Sequence, residues 1–118
     1  MLRRILDLIR AAEIPVEEVR CMGGAARSDL WLQIKADICA LPMVRMQEEE
    51  SSTLGCALLA AAAVGDFRSV EEASAVMVRL GRRFQPDVRN LALYDRRYAL
   101  YKDLYQALKP VFSKYTGG

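Results

Sequence analysis

The stretch VRCMGGAARSDLW, residues 19–31, decides the local fold. Its β-branched and apolar beginning predicts a strand that ends at Gly23 and Gly24. Ser28 is a favourable helix N-cap, and Asp29 suits the positive end of the helix that follows. Glycines let a ligand approach the backbone, and the free amides of a helix start attract negative oxygens. The arrangement therefore suits a nucleotide phosphate or ribose.

A second interpretation of the same stretch is a tight strand-to-helix turn that binds no ligand. The two glycines lack the spacing of a dinucleotide-binding GxGxxG motif, and the stretch contains no Gly-Lys-Ser or Gly-Lys-Thr of the Walker type. Ser28 has two alternative roles, because a hydroxyl that caps a helix cannot serve a ribose at the same moment. These residues alone do not decide between the two interpretations.

Outside this stretch, the spacing of apolar residues predicts helices that alternate with strands. The first helix begins at residue 2 without a recognisable cap and is stopped by Pro15. Strands are expected at residues 16–22 and 43–46. Further helices are expected from Ser28 to the break at Leu41-Pro42, from Ser52 or Thr53 to 64 with Gly65 at C′, from a Ser69–Glu72 capping box to Gly81, and over 88–109.

Three of these helices carry predictions about packing. The helix after Ser28 is expected to place Trp31 in the core instead of offering it as a base-stacking platform. The third helix is rich in Gly and Ala, which predicts close approach to a neighbour and burial. The last helix carries an apolar seam that favours docking against the domain's own body over a coiled coil. The apolar side after Ser28 is Leu30, Trp31, Ile34 and Ile38, and the seam is Leu91, Tyr94, Tyr98, Tyr101, Tyr105 and Leu108.

The chain has enough apolar residues for one folding unit, yet it looks like part of a larger domain. Its 118 residues are 53% hydrophobic and 27% charged, which is typical of a globular protein. However, the first helix lacks a cap, and two parallel strands make a poor sheet with open edges. Either a strand has been missed or the sheet continues outside these residues. Because exposed edges tend to pair, we expect a dimer or higher oligomer.

Composition excludes several classes of function. The sequence has no histidine, so Ser-His-Asp and Cys-His catalysis and His-ligated metals are excluded within this chain. Three widely spaced cysteines support neither a disulfide framework nor a zinc site, and they favour a reduced, cytoplasmic setting. A net charge of +2 does not indicate a nucleic-acid partner, and no stretch predicts a membrane span or signal peptide.

Three polar groups have plain structural interpretations. The run Glu48-Glu49-Glu50 predicts a solvated helix start, because consecutive carboxylates point in different directions and do not converge on a metal. The arginines at 79, 82, 83, 96 and 97 lie among acidic residues, which disfavours a nucleic-acid stripe. Cys21 is expected to be a small buried residue and not a reactive thiol.

Residues 23–38, GGAARSDLWLQIKADI, closely resemble the adenosine-binding segment of FGGY-type carbohydrate kinases, especially the xylulose-kinase-like branch. The resemblance continues through LPMV at 41–44, EESSTLGCALLA at 49–60, FQPD at 84–87 and YKDLYQALKP at 101–110. Residues 5–10, ILDLIR, resemble the helix that completes the family's second signature. Several separate motifs in the same order make the resemblance specific.

The resemblance implies an α/β fold, namely a partial, helix-rich actin-like ATPase (ribonuclease H-like) lobe with two short parallel strands and about five helices. Residues 1–118 would be a C-terminal fragment of the C-terminal, nucleotide-binding domain. The implied reaction transfers the γ-phosphoryl group of ATP, with magnesium, to a hydroxyl of a sugar or polyol. The Asp base and the phosphate-gripping hairpins of such kinases lie upstream, so no catalytic residue and no metal ligand are expected here.

The resemblance also assigns candidate nucleotide-binding residues. Gly24 and Ala25 match positions whose backbone approaches the α-phosphate and ribose, and Gly23 shapes the turn. Ser28 matches a position that contacts the adenosine, and it is shorter than the Asn that is frequent in the glycerol-kinase branch. Binding of ATP or ADP is expected to be weak or absent in the isolated chain, and the sugar substrate would bind to the part that is missing.

Two functions of different classes follow. The first is the nucleotide-binding C-terminal part of an ATP-dependent sugar kinase, inactive as an isolated fragment because phosphoryl transfer needs many groups positioned at once. The alternative is a non-enzymatic helical module, derived from such a kinase, that self-associates through its exposed faces.

Overall fold

In the computed structural model of the chain, residues 1–48 and 50–116 are described. They form helices and strands that alternate over the first half and end in one long helix. The elements are α1 (Leu2–Ala11), β1 (Val19–Cys21), a 3-10 turn (Gly24–Arg27), α2 (Asp29–Cys39), β2 (Met43–Met46), α3 (Ser51–Ala63), α4 (Val70–Met77), β3 (Leu80–Phe84) and α5 (Val88–Thr116).

The three strands form a mixed sheet in the order β1-β2-β3. β1 is parallel to β2, with Val19 opposite Met43, and the two are joined by a crossover through α2. β3 is antiparallel to β2, with Phe84 opposite Met43, and the pairing shifts register between Val44 and Met46. The helix-rich α/β class is confirmed, and the expectation of only two strands is wrong.

β3 was missed because residues 80–84 were assigned to a helix end and a loop. The fourth helix ends at Met77 and not at Gly81, and Leu80 already begins the strand. β3 covers the edge of β2 that two strands would leave open, and it buries Phe84 against the core. β1 is also shorter than the expected 16–22, because pairing with β2 spans residues 19–21.

The core lies between α2 and the sheet. Leu32, Ala36 and Cys39 follow one another at helical steps of four and three and face the strands, where Met43 is fully buried. The predicted apolar side of α2 is therefore wrong in its main members. Leu30 is 71% exposed and Trp31 45% exposed, whereas Ile38 does pack against the core.

α5 docks on α1 and α2 along its first half. Tyr98 donates a hydrogen bond to Asp7 at 2.7 Å, and Arg3 pairs with Asp95 at 2.6 Å while lying 4.5 Å from the centre of the Tyr98 ring. Docking of the tyrosine seam is thus confirmed over this half. In the second half of α5 the guanidinium carbon of Arg4 still lies 4.8 Å from the centre of the Tyr105 ring, whereas farther along Val111 is 44% exposed.

α5 also continues past the predicted end at residue 109, because Pro110 lies inside the helix. Proline removes one backbone hydrogen bond, and an exposed helix tolerates this since water can reach the carbonyl that is left unpaired.

α3 and α4 form a helical hairpin beside the sheet. The predicted caps Ser52 and Thr53 are wrong, because α3 already begins at Ser51 and its N-cap, Glu50, makes no side-chain capping bond. The predicted C′ glycine is confirmed by Gly65, at φ 86°. Among the described side chains of α3 none is buried, so the expected burial of this helix is wrong.

The capping box of α4 is confirmed in part. Ser69 Oγ accepts a hydrogen bond from the Glu72 amide at 3.2 Å, as predicted. The Glu72 carboxylate, however, accepts from the amide of Arg68 at 2.7 Å, one residue before the predicted partner.

The chain as a whole is extended for its length. Its Cα radius of gyration is 18.6 Å, compared with about 13–14 Å for a compact domain of this size. The α3–α4 hairpin and the far half of α5 account for the difference, since both lie away from the core. Within residues 1–48 and 50–116, no helix is both long and apolar enough to cross a membrane.

Candidate functional site

The turn between β1 and α2 has the backbone form that the glycines predicted. Gly23 adopts φ 77°, a left-handed conformation that side chains other than glycine's disfavour. Its carbonyl accepts a hydrogen bond from the Ala26 amide at 2.9 Å, which closes the 3-10 turn. Gly24 and Ala25 are the first two residues of this turn, and therefore their amides have no acceptor within it. Because both residues are exposed, these amides can face a ligand.

A cleft of about 500 Å³ lies at the end of the sheet next to this turn. β1 and β2 are parallel, and their carboxyl ends meet here, which is where open α/β sheets bind ligands. A Cβ at Gly23 or Gly24 would meet no atom within 4 Å, so the backbone borders open space. The cleft is lined by Met22, Gly23, Ala26, Arg27, Arg45, Met46, Gln47, Glu48, Gly81 and Arg82.

The four sequence-predicted site residues lie on or next to one turn but do not share one pocket. Gly23 lines the cleft, whereas Gly24, Ala25 and Ser28 lie on the exposed turn beside it. Ser28 Oγ accepts a hydrogen bond from the Trp31 amide at 3.2 Å, so its role as the N-cap of α2 is confirmed. The expectation that a capping hydroxyl cannot also serve a ligand is wrong, because capping uses only an oxygen lone pair and leaves the hydroxyl hydrogen available as a donor.

Charged side chains give the cleft a mixed but mainly basic wall. Asp29 forms ion pairs with both Arg45 and Arg82. Hydrogen bonding from Arg45 lowers the pKa of the Asp29 carboxyl, and the positive charges of both arginines lower it further. Among the described residues that line the cleft, three are arginines and one, Glu48, is a carboxylate, so this wall favours an anionic ligand.

Arg45 is the residue of this site that the sequence reasoning missed. It stands on β2 between the buried residues Val44 and Met46, and it reaches back over the sheet end to the 3-10 turn. The signal was present in the sequence as a single arginine within an otherwise apolar strand, MVRM. Without knowing that β1 and β2 are neighbours in this register, its partners could not be identified.

A second cleft, of about 580 Å³, lies between α1, α2 and α5. Trp31 lines it and is 45% exposed, so the prediction that this side chain lies in the core is wrong. The ammonium of Lys35 sits 5.4 Å from the centre of the Trp31 ring, which places a cation against an aromatic face. Tyr94, Tyr98 and Tyr101 form the opposite wall.

The remaining polar groups have local structural partners. Glu48 accepts a hydrogen bond from the Arg79 amide at 3.4 Å, and Glu49 of the same acidic run lies outside the described residues. Arg83 pairs with Glu18 at 2.8 Å. Among the residues that the structure describes, no three potential ligands converge on a metal position.

Cys21 is buried as predicted, and burial raises the pKa of its thiol. Burial likewise raises the pKa of Cys39. A raised thiol pKa lowers the thiolate fraction at neutral pH, so neither group is activated as a nucleophile.

Comparison with known proteins shows which family shares this strand–turn–helix arrangement. Residues 1–64 match the profile of the FGGY family of carbohydrate kinases, C-terminal domain. The chain belongs to this family. The match includes β1, the glycine turn, α2, β2 and α3, and therefore most of the residues around the first cleft.

Relatives extend the similarity beyond residue 64. The xylulose kinase of Bacillus subtilis (strain 168) is 34% identical over 108 residues, which are 92% of this chain and 22% of that protein. A human FGGY carbohydrate kinase domain-containing protein is 36% identical over 107 residues, which are 91% of this chain and 19% of that protein. The chain thus spans about a fifth of the length of these FGGY relatives.

Solved structures confirm the fold. The crystal structure of xylulose kinase from Rhodospirillum rubrum matches with a TM-score of 0.76 at 28% identity, over 94% of this chain and 22% of that one. That of ligand-bound xylulose kinase from Lactobacillus acidophilus also matches at 0.76, with 27% identity over 85% of this chain and 20% of that one. The FGGY segment described here therefore has the actin-like ATPase fold of the sugar kinases.

Proposed function

We propose that residues 1–118 form the nucleotide-holding C-terminal part of an ATP-dependent sugar kinase of the xylulose-kinase type. The observation that carries this proposal is the glycine turn at the carboxyl ends of β1 and β2. There Gly23 lines a cleft of about 500 Å³ with a basic wall, and the exposed backbone of Gly24 and Ala25 lies beside it. The membership in the FGGY family supports ATP as the nucleotide and a sugar or polyol hydroxyl as the phosphoryl acceptor.

The proposed roles follow from the geometry of the turn. The amides of Gly24 and Ala25 donate to phosphate or ribose oxygens, since neither amide has an acceptor inside the 3-10 turn. Gly23 supplies the left-handed conformation that turns the chain away from β1. Ser28 caps α2 and can offer its hydroxyl hydrogen to the adenosine, a dual role that a single hydroxyl can perform because its donor and its lone pairs are distinct.

No catalytic base or magnesium ligand is assigned to this chain. In the part of the cleft lining that the structure describes, one carboxylate, Glu48, stands beside three arginines, and divalent magnesium prefers carboxylate, phosphate and water oxygens without adjacent positive charge. Phosphoryl transfer depends on many positioned groups, so residues 1–118 alone should not phosphorylate xylulose or another sugar. A coupled ADP-release assay tests this, and measurable sugar phosphorylation would overturn it.

Titration with ATP and magnesium tests the site itself. We expect weak binding with a Kd above about 1 μM. The titration is monitored through changes in the amide chemical shifts of residues 23–28. Gly24→Val should weaken binding about tenfold or more, because a charge-assisted hydrogen bond is worth roughly 1.5–3 kcal/mol and the new side chain blocks the approach. The variant should still fold, since a Cβ at Gly24 meets no atom within 4 Å.

Gly55→Val is the matched control for this experiment. Gly55 also has open space around it, but it lies on α3, away from the turn. If Gly24→Val and Gly55→Val bind ATP equally well, or if the shifts appear outside residues 23–28, the proposed site is wrong. Submicromolar affinity would contradict the view that much of the site lies outside these residues.

A second candidate function, a self-associating helical module, is favoured by one specific observation. The far half of α5 exposes apolar side chains, including Leu104, Leu108 and Val111, at 55%, 37% and 44% exposure. Surfaces of this kind tend to pair, so we propose a dimer or higher oligomer. Sedimentation at several concentrations tests this, and a monomer at all concentrations would contradict it.

A further inference from the structure

Arg45 links the central strand of the sheet to the glycine turn. Its Nε donates a hydrogen bond to the Ala26 carbonyl at 2.7 Å, and its Nη2 donates to the Arg27 carbonyl at 3.1 Å. The same Nη2 pairs with Asp29 in the first turn of α2. One guanidinium therefore holds the end of the 3-10 turn and the start of the helix together.

This contact adds to the packing of Ala26, which is buried in the core, in restraining the turn. A 3-10 turn of four residues has poor hydrogen-bond geometry of its own, and its last carbonyls have no partner within the turn. By holding the Ala26 and Arg27 carbonyls, Arg45 fixes the two peptide planes at the end of the turn, and the hydrogen bond from the Ala26 amide to the Gly23 carbonyl connects that end to its beginning. The amides of Gly24 and Ala25 are part of the same short turn, so their direction is set at the same time.

The Arg45 side chain is itself well oriented. It is 28% exposed, Asp29 balances its charge, and its guanidinium lies 5.5 Å from the centre of the buried Phe84 ring on β3. A planar guanidinium can serve two carbonyls and a carboxylate at once. The single ammonium of lysine has no such fork, and it cannot reproduce this pattern.

We propose that Arg45 is a positioning residue of the nucleotide site, which holds the Gly24 and Ala25 amides in the direction that a nucleotide phosphate or ribose requires. This inference rests on the proposed function for its ligand, although the contact with the turn does not. Arg45 does not need to touch the nucleotide, because it acts through the backbone that does.

Arg82 provides a matched control. It pairs with the same Asp29 and lies 4.9 Å from the centre of the same Phe84 ring. Its described contacts are with these two side chains and not with the carbonyls of the turn. Arg45→Gln and Arg82→Gln thus remove the same charge from the same cleft wall, and only Arg45→Gln releases the turn.

The experiment combines amide hydrogen exchange without nucleotide and titration with ATP and magnesium. Arg45→Gln should speed exchange of the Ala26 amide at least about tenfold relative to the core amides of α2, and it should weaken ATP binding about five- to tenfold. Arg45→Lys keeps the charge and serves as the second variant if Arg45→Gln does not fold. Its Ala26 exchange rate and its ATP affinity should lie between those of the wild type and those of Arg45→Gln. Arg82→Gln also removes a charge from the cleft wall, so it should weaken ATP binding less than Arg45→Gln does, and it should leave exchange of the Ala26 amide within about twofold of the wild type.

The outcomes separate this inference from the proposed function. Unchanged exchange at Ala26 in both Arg45 variants, or equal effects of Arg82→Gln and Arg45→Gln, would overturn the positioning role. Absence of ATP binding by the wild-type chain would overturn the proposed function, while the exchange measurement would still decide whether Arg45 holds the turn. If the core amides of α2 lose protection from hydrogen exchange together with the Ala26 amide, Arg45 has a general structural role, and this result would also overturn the inference.

Discussion

α2 and α3 are apolar helices of similar length, 11 and 13 residues, yet only α2 contributes to the core. α2 buries Leu32, Ala36 and Cys39 between the sheet and α5. Of the described side chains of α3, none is buried, although this helix is the more apolar of the two. Apolar composition shows that a surface gains from being covered, but neighbouring elements decide whether it is covered.

A buried carboxylate explains part of this difference. Asp37 on α2 is 3% exposed and accepts hydrogen bonds from Gln33 Nε2, the Asp87 amide and Asn90 Nδ2, each at 2.8 Å. A buried carboxylate is stable only when it is hydrogen-bonded. Because two of the three donors lie at the start of α5, these bonds connect α2 to α5. α3 has no comparable anchor among its described residues, and its main packing partner is α4.

The largest expected contrast comes from removing one leucine from each helix. Leu32→Ala should lower the free energy of unfolding by about 3 kcal/mol, since Leu32 is fully buried and its loss leaves a cavity. Leu59→Ala on α3 should change it by less than about 0.5 kcal/mol, because Leu59 is 61% exposed. Urea unfolding of both variants measures the difference. Equal losses would mean that α3 is covered in solution and would contradict the contrast.

The parts of the fold that could be predicted are those with local signals. Ser28 and Ser69 were identified as caps because a side-chain hydroxyl satisfies an amide three residues later, a relation that depends on sequence spacing alone. Gly65 was identified as a C′ residue for the same kind of reason. These features depend on a few adjacent residues, so tertiary contacts did not alter them.

What could not be predicted depends on contacts between distant residues. β3 is a strand because β2 offers it a free edge, which no property of LGRRF alone reveals. Trp31 was placed in the core for its size, but the sheet takes up Leu32 and leaves the tryptophan in a groove. Arg45 became recognisable as part of the candidate site only once β1 and β2 were adjacent.

Two glycines should give effects of opposite sign. A Cβ at Gly81 on β3 would lie 2.8 Å from the Arg45 carbonyl oxygen, a clash with backbone that cannot move freely. Gly81→Ala should therefore cost about 1–3 kcal/mol of stability. Gly55→Ala on α3 should stabilise by about 0.5–1 kcal/mol, because the position is helical and the added methyl meets open space.

Thermal and urea unfolding of these two variants sharpen the comparison of α3 with the sheet. Loss of stability in Gly55→Ala would show that another surface approaches α3 closely in solution, and it would contradict the open space around Gly55. A neutral Gly81→Ala would show that β2 and β3 separate easily, which would weaken the case for a rigid cleft wall.

The smallest effect concerns acid stability at the start of α5, the element tied to α2. Hydrogen bonds from the Arg89 side chain and amide lower the pKa of Asp87 to about 2, from an ordinary value of 3.8. The unfolded chain therefore binds more protons than the folded chain between these values, so the contribution of Asp87 is present above pH 3.8 and is lost as the pH falls towards about 2. Because Arg89 is 84% exposed, solvent screening keeps the effect small.

Asp87→Asn should remove this part of the acid response while retaining an N-cap for α5. Glu71 in α4, which belongs to the helical hairpin, provides an internal reference. Hydrogen bonds from the Glu71 backbone amide and from the Ser69 side chain lower the pKa of its carboxyl. Arg89→Gln should raise the pKa of Asp87 and leave that of Glu71 unchanged, as measured by carboxyl chemical shifts during a pH titration. If both carboxyls shift together, α5 and the hairpin respond to acid as one unit, and the separation between the α2 side and the α3 side of the molecule does not hold.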